Sequence, residues 1–256
     1  MQLNYTEQGT GEPVFLIHGL LGSLTNLGNL ARALAPNYRV ISVDLRNHGD
    51  SPHLQEMSLP SMALDIADLM DDLSIASGHF VGHSLGGKVA MQLAMSDSVK
   101  VDSLVVADIA PVKYKEKNTN EINALYNLSK VIIKDRKTAD TLLADYGIAS
   151  SVSGFLLKNL RRNSDGNFEL KLNITAIKEC YKNHLLVAPK GENFAGPCLF
   201  FKGENSSYIE PHHIPMIQSL FTQSALHTVK DAGHWLHADK PDYFNQLVLQ
   251  FINEIS

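Results

Sequence analysis

The sequence predicts an α/β protein with a mostly parallel sheet covered by helices on both faces. Short apolar runs alternate with segments of helical periodicity in the first half of the chain, and the same rhythm returns near its end. The runs are apolar at consecutive positions, as in strands buried on both faces of a parallel sheet. A long segment between the two halves has helical patterns without a buried-strand pattern, which predicts an inserted helical cap.

Six apolar runs are predicted to form the strands of this sheet: Val14–Ile17, Arg39–Val43, His79–Val81, Leu104–Ala107, Pro197–Phe201 and Ala225–Val229. Met1–Tyr5 is predicted to be a further strand. Helical spacing predicts the covering helices over Ser61–Leu73, Leu85–Met95, His212–Phe221 and Pro241–Ile255. Pro241 suits the first turn of the last helix, where its missing N–H is not needed.

Residues 1–111 and 196–256 are predicted to form the core, and residues 112–195 the helical cap. The cap has helical patterns over Asn120–Val131, Thr138–Ala144, Gly154–Leu160 and Ile174–Tyr181. Asn163–Asn167 is a turn by composition, and the basic pair Arg161-Arg162 is interpreted as a solvated helix end. Because the segment is inserted rather than appended, a lid over a site is favoured over a second domain with its own function.

Composition excludes several functions. The net charge of −5 gives the whole molecule no attraction to nucleic acid or to an anionic membrane. The two cysteines, Cys180 and Cys198, form no CxxC pair, which excludes a thiolate metal site. No apolar run approaches the roughly 18 residues of a membrane span, and no signal-peptide pattern opens the chain. We expect a cytoplasmic protein, monomer or dimer, without cofactor or metal.

Gly82-His83-Ser84-Leu85-Gly86 matches G-x-S-x-G, with a strand pattern before it and a helical pattern after it. This context predicts a sharp strand–turn–helix that presents the Ser84 hydroxyl as a nucleophile, with glycines keeping side chains from colliding. Acyl transfer also needs two backbone N–H donors for the developing oxyanion. We expect them from Leu85, directly after the serine, and from Leu20 in the loop after the first buried strand. His18 is interpreted as bracing that loop.

Eleven histidines compete for the role of general base. His234 follows the final strand run beside Gly233, at the sheet edge where ligands of open α/β sheets bind. It is therefore the predicted base. His212-His213 has no third ligand nearby in the sequence, which argues against a metal site. His83 lies inside the G-x-S-x-G turn and is predicted to line the site rather than to titrate in it.

Taken together and in this order, the motifs resemble the α/β-hydrolase family over essentially the whole chain. They are His18-Gly19, the segment Asp44 to Ser51, the turn around Ser84, and Gly233-His234. Finer matches, including Asp108 to Val112 and Ala232 to Ala238, resemble small bacterial esterases of the YbfF type. The resemblance implies an α/β-hydrolase fold with a cap between core strands, and hydrolysis of carboxylic esters, with acyl-CoA thioesters as a further substrate class. Asp44, Arg46 and His48 are then structural.

The acid of the triad departs from the commoner family pattern. The usual Asp lies in a G-x-x-D turn after the second-last strand, and here Ser206 occupies that position. A serine orients an imidazole but does not stabilise its charge as a carboxylate does. Asp108, at the end of the strand after the Ser84 helix, is ranked first, as the subgroup resemblance implies. Glu204 is ranked second, and Ser206 is expected as a hydrogen-bond partner of the His234–Asp108 pair.

The pocket is predicted to include Leu21, His83 and Trp235, roofed by the cap. Lys113 is interpreted as solvated surface rather than as an anion site. Three functions stay open: a serine esterase or thioesterase; a C–C bond hydrolase, lactonase or peptidase of the same fold; and a hydrolase-like binding protein. Glu116 and Glu121 are weak candidates for the acidic lid residues that a peptidase uses to bind an amine.

Overall fold

The computed structural model describes residues 1–255, so the last residue of the predicted core range lies outside the described residues. The main sheet has seven strands in the order β1-β3-β2-β4-β5-β8-β9, and every pairing except β1 with β3 is parallel. The strands are β1 Tyr5–Gln8, β2 Pro13–Ile17, β3 Arg39–Val43, β4 Gly78–His83, β5 Val101–Ala107, β8 Phe194–Gly203 and β9 Phe221–Val229. The predicted mostly parallel sheet is confirmed.

Ten α-helices are present within residues 1–255. They are α1 Gly28–Leu34, α2 Leu59–Asp72, α3 Leu85–Ser96, α4 Thr119–Leu128, α5 Arg136–Asp145, α6 Ser150–Leu156, α7 Ile174–Cys180, α8 Ile214–Leu220, α9 Leu236–Asp239 and α10 Pro241–Asn253. α7 continues into a π-helical turn, Tyr181–Leu185. None of the helices in the described chain has both the length and the apolar character needed to cross a bilayer.

Two apolar cores lie on opposite faces of the sheet because successive side chains of a strand point to opposite faces. In β2, Phe15 and Ile17 face the core that is shared with α2, α3 and the cap. Val14 and Leu16 face the second core, under α1 and α10. All four side chains are buried. Burial on both faces explains why this strand is apolar at consecutive positions.

Between β5 and β8, the cap carries α4–α7 and a two-stranded hairpin of β6 (Leu160–Arg162) and β7 (Phe168–Leu170). The hairpin was not predicted, and the interpretation of Arg161-Arg162 as a helix end is wrong. Arg161 instead lies opposite Glu169 in the antiparallel pair and forms an ion pair with it. β8 begins at Phe194, two residues before the predicted start of the second core range. The division into domains stays a prediction.

One buried side chain ties both ends of the cap to α3. The Lys88 ammonium group donates hydrogen bonds of 2.6–3.0 Å to backbone carbonyls at Val112, Leu186 and Val187. Burial lowers the pKa of Lys88 to about 7, and the three carbonyls favour its charged form. One helical turn further on, the Gln92 side chain donates to the Lys190 carbonyl and accepts from its N–H. We call the Lys88 contact the clasp.

Candidate active site

Ser84 occupies a strained turn between β4 and α3. Its φ is 52° and its ψ is −115°, a region that residues with side chains rarely adopt. A Cβ on Gly82 would overlap the Gly86 carbonyl, and a Cβ on Gly86 would overlap the Ile17 carbonyl of β2. The Ser84 N–H donates to Ala107 of β5 at 2.9 Å. The glycines of the motif are thus required by close packing around the serine.

A hydrogen-bond relay runs from Asp108 to Ser84. Asp108 Oδ2 lies 2.8 Å from His234 Nδ1, and His234 Nε2 lies 3.1 Å from Ser84 Oγ. With the proton on Nδ1, the imidazole donates to the carboxylate and leaves Nε2 free to accept from the serine. Asp108 directly follows β5 and adopts a φ of 54°. Three strand ends therefore bring together residues that are far apart in the sequence.

Asp108 is fully buried, and each of its oxygens has a donor. Oδ1 accepts from the Gly203 N–H at 2.9 Å. Oδ2 accepts from His234 and from the Ser206 hydroxyl. Ser206 also accepts from the Tyr208 N–H at 3.2 Å. These bonds fix the plane of the carboxylate toward the imidazole. Ser206 thus lies where a partner of the His234–Asp108 pair was expected.

Tyr208 was not identified from the sequence. Its ring stacks on the His234 imidazole, with centroids 3.9 Å apart and planes 20° from parallel. Burial raises the pKa of Tyr208 to about 12, which keeps the phenol neutral. The Tyr114 hydroxyl donates to the Tyr208 carbonyl and accepts from the Ala110 N–H. The stack limits rotation of the imidazole. No short motif marks Tyr208, because the contact depends on a loop folding back over the sheet edge.

Two further histidines lie beside His234. His83 Nε2 is 2.9 Å from the His234 carbonyl, and its ring centroid is 4.4 Å from that of His237. Burial, followed by the neighbouring imidazoles, lowers the pKa of His83 well below its usual value. Burial likewise lowers the pKa of His237 to about 4. Both rings are therefore neutral near pH 7, and neutral His83 donates its Nε2–H to the His234 carbonyl.

The loop after β2 is held by two neutral histidines. His18 Nε2 accepts from the Leu45 N–H at 3.1 Å, and its Nδ1 lies 2.8 Å from the Gly19 carbonyl. His48 Nε2 accepts from the Leu21 N–H at 3.2 Å. Burial lowers the pKa of both, that of His48 to about 3. These bonds fix the backbone around Leu20, whose own N–H makes no hydrogen bond within the described chain.

Two cavities meet at Ser84. The larger cavity, of about 220 Å³, lies on the side of His234 and Trp235 and is walled by cap side chains. The smaller cavity, of about 40 Å³, lies on the side of Leu85 and is lined by Ile109 and further leucines together with lysine and tyrosine side chains. Leu20, Ser84, Asn118 and Tyr208 line both cavities. A molecule bound at Ser84 therefore has a space on either side of the serine.

The predicted pocket residues Leu21, His83 and Trp235 all line the larger cavity. Leu21 is buried and has a φ of 59°. Trp235 also contacts the cap, since its ring centroid lies 5.7 Å from that of Phe155. Trp235 thus lines the cavity and contacts the cap at the same time.

Comparisons with known proteins identify the family of this chain. A family model for the alpha/beta hydrolase fold matches residues 12–127. Esterase YbfF of Escherichia coli (strain K12) is 37% identical over 248 residues, covering 96% of this chain and 95% of that protein. The chain belongs to the α/β-hydrolase family. The family and fold that the motifs implied are thereby confirmed.

Other α/β hydrolases resemble this chain over nearly its full length. The mouse sn-1-specific diacylglycerol lipase ABHD11 is 36% identical over 93% of this chain and 80% of its own length. The solved structure of a marine microorganism esterase superposes with a TM-score of 0.93 at 38% identity, covering 98% of this chain and 99% of the other. The chain is thus an α/β hydrolase of the esterase and lipase type.

Other polar groups of this α/β hydrolase lie outside the relay. Glu204, the rival acid, accepts from the Asp231 N–H at 2.9 Å through Oε2. Lys113 is exposed and lines neither cavity. Glu210 joins His212 and His213 in a surface cluster whose potential ligand atoms lie within 4.8 Å of one another. The statement that this histidine pair has no third ligand nearby is therefore wrong, although the cluster lies outside both cavities.

The three residues expected to shape the loop under the site are buried and hydrogen-bonded. Asp44 accepts from the Leu24 N–H at 2.7 Å and from the Asp50 N–H at 3.0 Å. Arg46 forms a paired contact with Asp65 of α2 over 2.6–2.7 Å. None of these bonds reaches Ser84. A structural role for this segment is consistent with its contacts.

Proposed function

We propose that the chain is a serine hydrolase that cleaves carboxylic esters through an acyl-enzyme. In this proposal Ser84 is the nucleophile, His234 the general base and Asp108 the acid of the triad. The observation that carries the proposal is the relay Asp108–His234–Ser84, which opens on two cavities. A complete relay of this kind also argues against a binding protein that has lost catalysis.

The first half-reaction follows from the two distances of the relay. His234 Nε2, 3.1 Å from Ser84 Oγ, takes the hydroxyl proton as the oxygen attacks the ester carbonyl. The imidazolium that forms is stabilised by the Asp108 carboxylate, 2.8 Å from Nδ1. His234 then gives the proton to the alkoxide oxygen of the leaving alcohol as the ester C–O bond breaks. Water repeats the sequence on the acyl-enzyme and regenerates the serine.

We assign the oxyanion donors to the backbone N–H groups of Leu20 and Leu85. Leu85 is the first residue of α3, so its N–H precedes the first hydrogen bond of the helix. The Leu20 N–H is also unused within the described residues. Both residues line the smaller cavity with Ser84. Donors left free in the resting protein can be aimed at the charge that develops in the transition state.

The position of His234 decides which cavity holds which arm of the ester. The base must reach the leaving oxygen to protonate it, and His234 lines only the larger cavity. We therefore place the leaving alcohol in the larger cavity and the acyl group in the smaller one, where lysine and tyrosine side chains lie beside Ile109 and the leucines. The larger cavity is lined by Glu121 and by no lysine or arginine. An oxygen ester of an uncharged or cationic alcohol fits this charge better than the polyanionic coenzyme A thioester.

Wild type and Ser84→Ala should be compared on p-nitrophenyl butyrate, with exposed Ser164→Ala as the matched control. We expect turnover in the wild type and the control and none above background in Ser84→Ala, with unchanged unfolding midpoints. Turnover retained by Ser84→Ala would contradict the nucleophile. A folded wild type without turnover would instead favour a C–C bond hydrolase, a lactonase, a peptidase or a binding role.

A second series should compare butyryl-CoA with butyrate esters. Faster turnover of the thioester would contradict the preference argued from the charge of the larger cavity. Cytoplasmic location and a monomeric or dimeric state stay predictions, to be checked by fractionation and by light scattering.

A further inference from the structure

Glu121 is an unpartnered carboxylate in the larger cavity. It lies in the first turn of α4, and its side chain lines the same cavity as Ser84 and His234. Its Oε2 is shielded from solvent and has no hydrogen-bond partner. Its charge helps to raise the pKa of Tyr208, the residue that stacks on His234. Glu121 therefore faces the catalytic side of the cap rather than its outer surface.

Two lysines of the cap bond elsewhere. Lys117 donates to the Ser207 hydroxyl at 3.0 Å, and Lys182 pairs with Glu116 at 3.1 Å. Among the described residues, none of the salt bridges includes Glu121. A shielded acceptor without a donor is unfavourable, and native proteins leave few of them. Since no group of the described chain donates to this oxygen, a donor arriving with a bound molecule would satisfy it.

Most of the cap residues around Glu121 in the larger cavity are apolar. Besides Asn118 and Glu121, its cap walls are Val152, Phe155 and Leu156, which neither donate nor accept hydrogen bonds. In an apolar cavity, a few polar groups fix the orientation of a ligand. The carboxylate is symmetric and its last side-chain bond rotates broadly, so either oxygen can turn toward the cavity. Glu121 thus supplies a hydrogen-bond acceptor in the cavity that holds the leaving alcohol.

We propose that Glu121 determines specificity by accepting a hydrogen bond from a second polar group on the leaving alcohol. The chemical class is an ester whose alcohol carries a further donor, either a hydroxyl or an ammonium group. The inference rests on the proposed ester hydrolysis, because the protonating His234 places the alcohol in the larger cavity. Glu121 binds the substrate at a distance from the reacting carbonyl and takes no proton from it.

The test uses three butyrate esters that differ only at the far end of the alcohol. They are propyl butyrate, the monobutyrate of 1,3-propanediol, and 3-(dimethylamino)propyl butyrate, which is a cation at pH 7. The measured quantity is the ratio of kcat/KM for each polar ester to that for propyl butyrate. In the wild type we expect a ratio above one for at least one polar ester. The larger ratio identifies the donor as hydroxyl or ammonium.

Glu121→Leu should lower that ratio by about tenfold to a hundredfold, the range for losing a hydrogen bond to a charged group. Glu121→Gln keeps the shape and one acceptor and should lower it less, which preserves the test if the leucine variant does not fold. Glu116→Gln is the matched control, because Glu116 is an exposed acid five positions earlier that pairs with Lys182. It should leave the ratio unchanged.

Equal rates for all three esters in the wild type would overturn the inference. So would a preference that survives in both Glu121 variants. Either result leaves the proposed function standing as long as propyl butyrate is cleaved and Ser84→Ala abolishes cleavage. If the wild type cleaves none of the esters, the proposed function itself fails first.

Discussion

Asp108→Asn tests the assignment of the acid, because an amide cannot satisfy the three donors that now surround the carboxylate. Oδ1 faces the Gly203 N–H, so an amide NH₂ placed there would oppose another donor. The NH₂ group must therefore take the Oδ2 position, facing Ser206 and His234. The serine hydroxyl can rotate to accept from it. The imidazole must then present an unprotonated Nδ1, which moves its proton to Nε2 and blocks proton transfer from Ser84.

The wrong tautomer and the lost charge together set the size of the effect. Loss of a triad carboxylate by this route lowers kcat by about 10⁴-fold, or about 5 kcal/mol of activation free energy. Glu204→Gln is the matched control, because Glu204 bonds the Asp231 N–H and not the imidazole. We expect the control to change kcat less than threefold. The assay is initial-rate hydrolysis of p-nitrophenyl butyrate, with an unfolding midpoint measured for each variant.

Two results would refute this reasoning. If Asp108→Asn folds and keeps a tenth or more of the wild-type kcat, Asp108 does not hold the tautomer of His234. If Glu204→Gln loses more activity than Asp108→Asn, the carboxylate that serves the imidazole in solution is the one on the β8–β9 loop.

Three further outcomes follow from the contacts. Ser206→Ala removes one of three donors to the carboxylate and should lower kcat by about tenfold in the same assay; a loss as large as that of Asp108→Asn would contradict a supporting role. Burial lowers the pKa of His48 to about 3 in the folded protein, whereas in the unfolded chain the imidazole takes up a proton near pH 6.5. The contribution of neutral His48 to the free energy of unfolding is therefore complete above pH 6.5 and is lost as the pH falls toward 3. The free energy of unfolding should be measured with urea at pH 7 and at pH 5. Its decrease between the two pH values should be about 2 kcal/mol smaller in His48→Gln than in the wild type, and equal decreases would refute this. Gly86→Ala should destabilise by about 2–3 kcal/mol because its Cβ overlaps the Ile17 carbonyl, whereas Gly154→Ala, with open space around it, should be neutral or stabilising; equal unfolding midpoints would contradict the packing argument.

The site was visible in the sequence where its geometry is local. Ser84 and its glycines were predictable because one turn fixes the conformation of the serine within five residues. The acid was ambiguous because Asp108 and Glu204 both follow strands, and only tertiary structure decides which carboxylate meets His234. Tyr208 was invisible for the same reason. Its contact with the imidazole depends on how the loop after β8 folds, and the spacing of residues in the sequence does not predict that fold.

The differences between the predicted and the observed secondary structure also have physical causes. The first strand begins at Tyr5 rather than Met1, because the pairing with β3 starts opposite Val43. The N–H of Asn4 donates to the Ser51 hydroxyl instead of to a strand. Helix α1 was missed because it is short and begins at Gly28, a poor helix former. Its packing beside α10 supplies what local propensity does not. The cap hairpin was missed because its strands span three residues each.

The clasp affects which cap residues can be substituted without loosening the contact between the cap and α3. The acceptors around Lys88 are main-chain carbonyls, and every amino acid supplies one. Residues 112, 186 and 187 can therefore change identity without breaking the joint, provided that the backbone path is kept. One lysine on α3 can therefore hold cap ends that differ in sequence at these three positions. A chimera that carries the cap of another esterase should thus need Lys88, Gln92 and a backbone path that places matching groups opposite them.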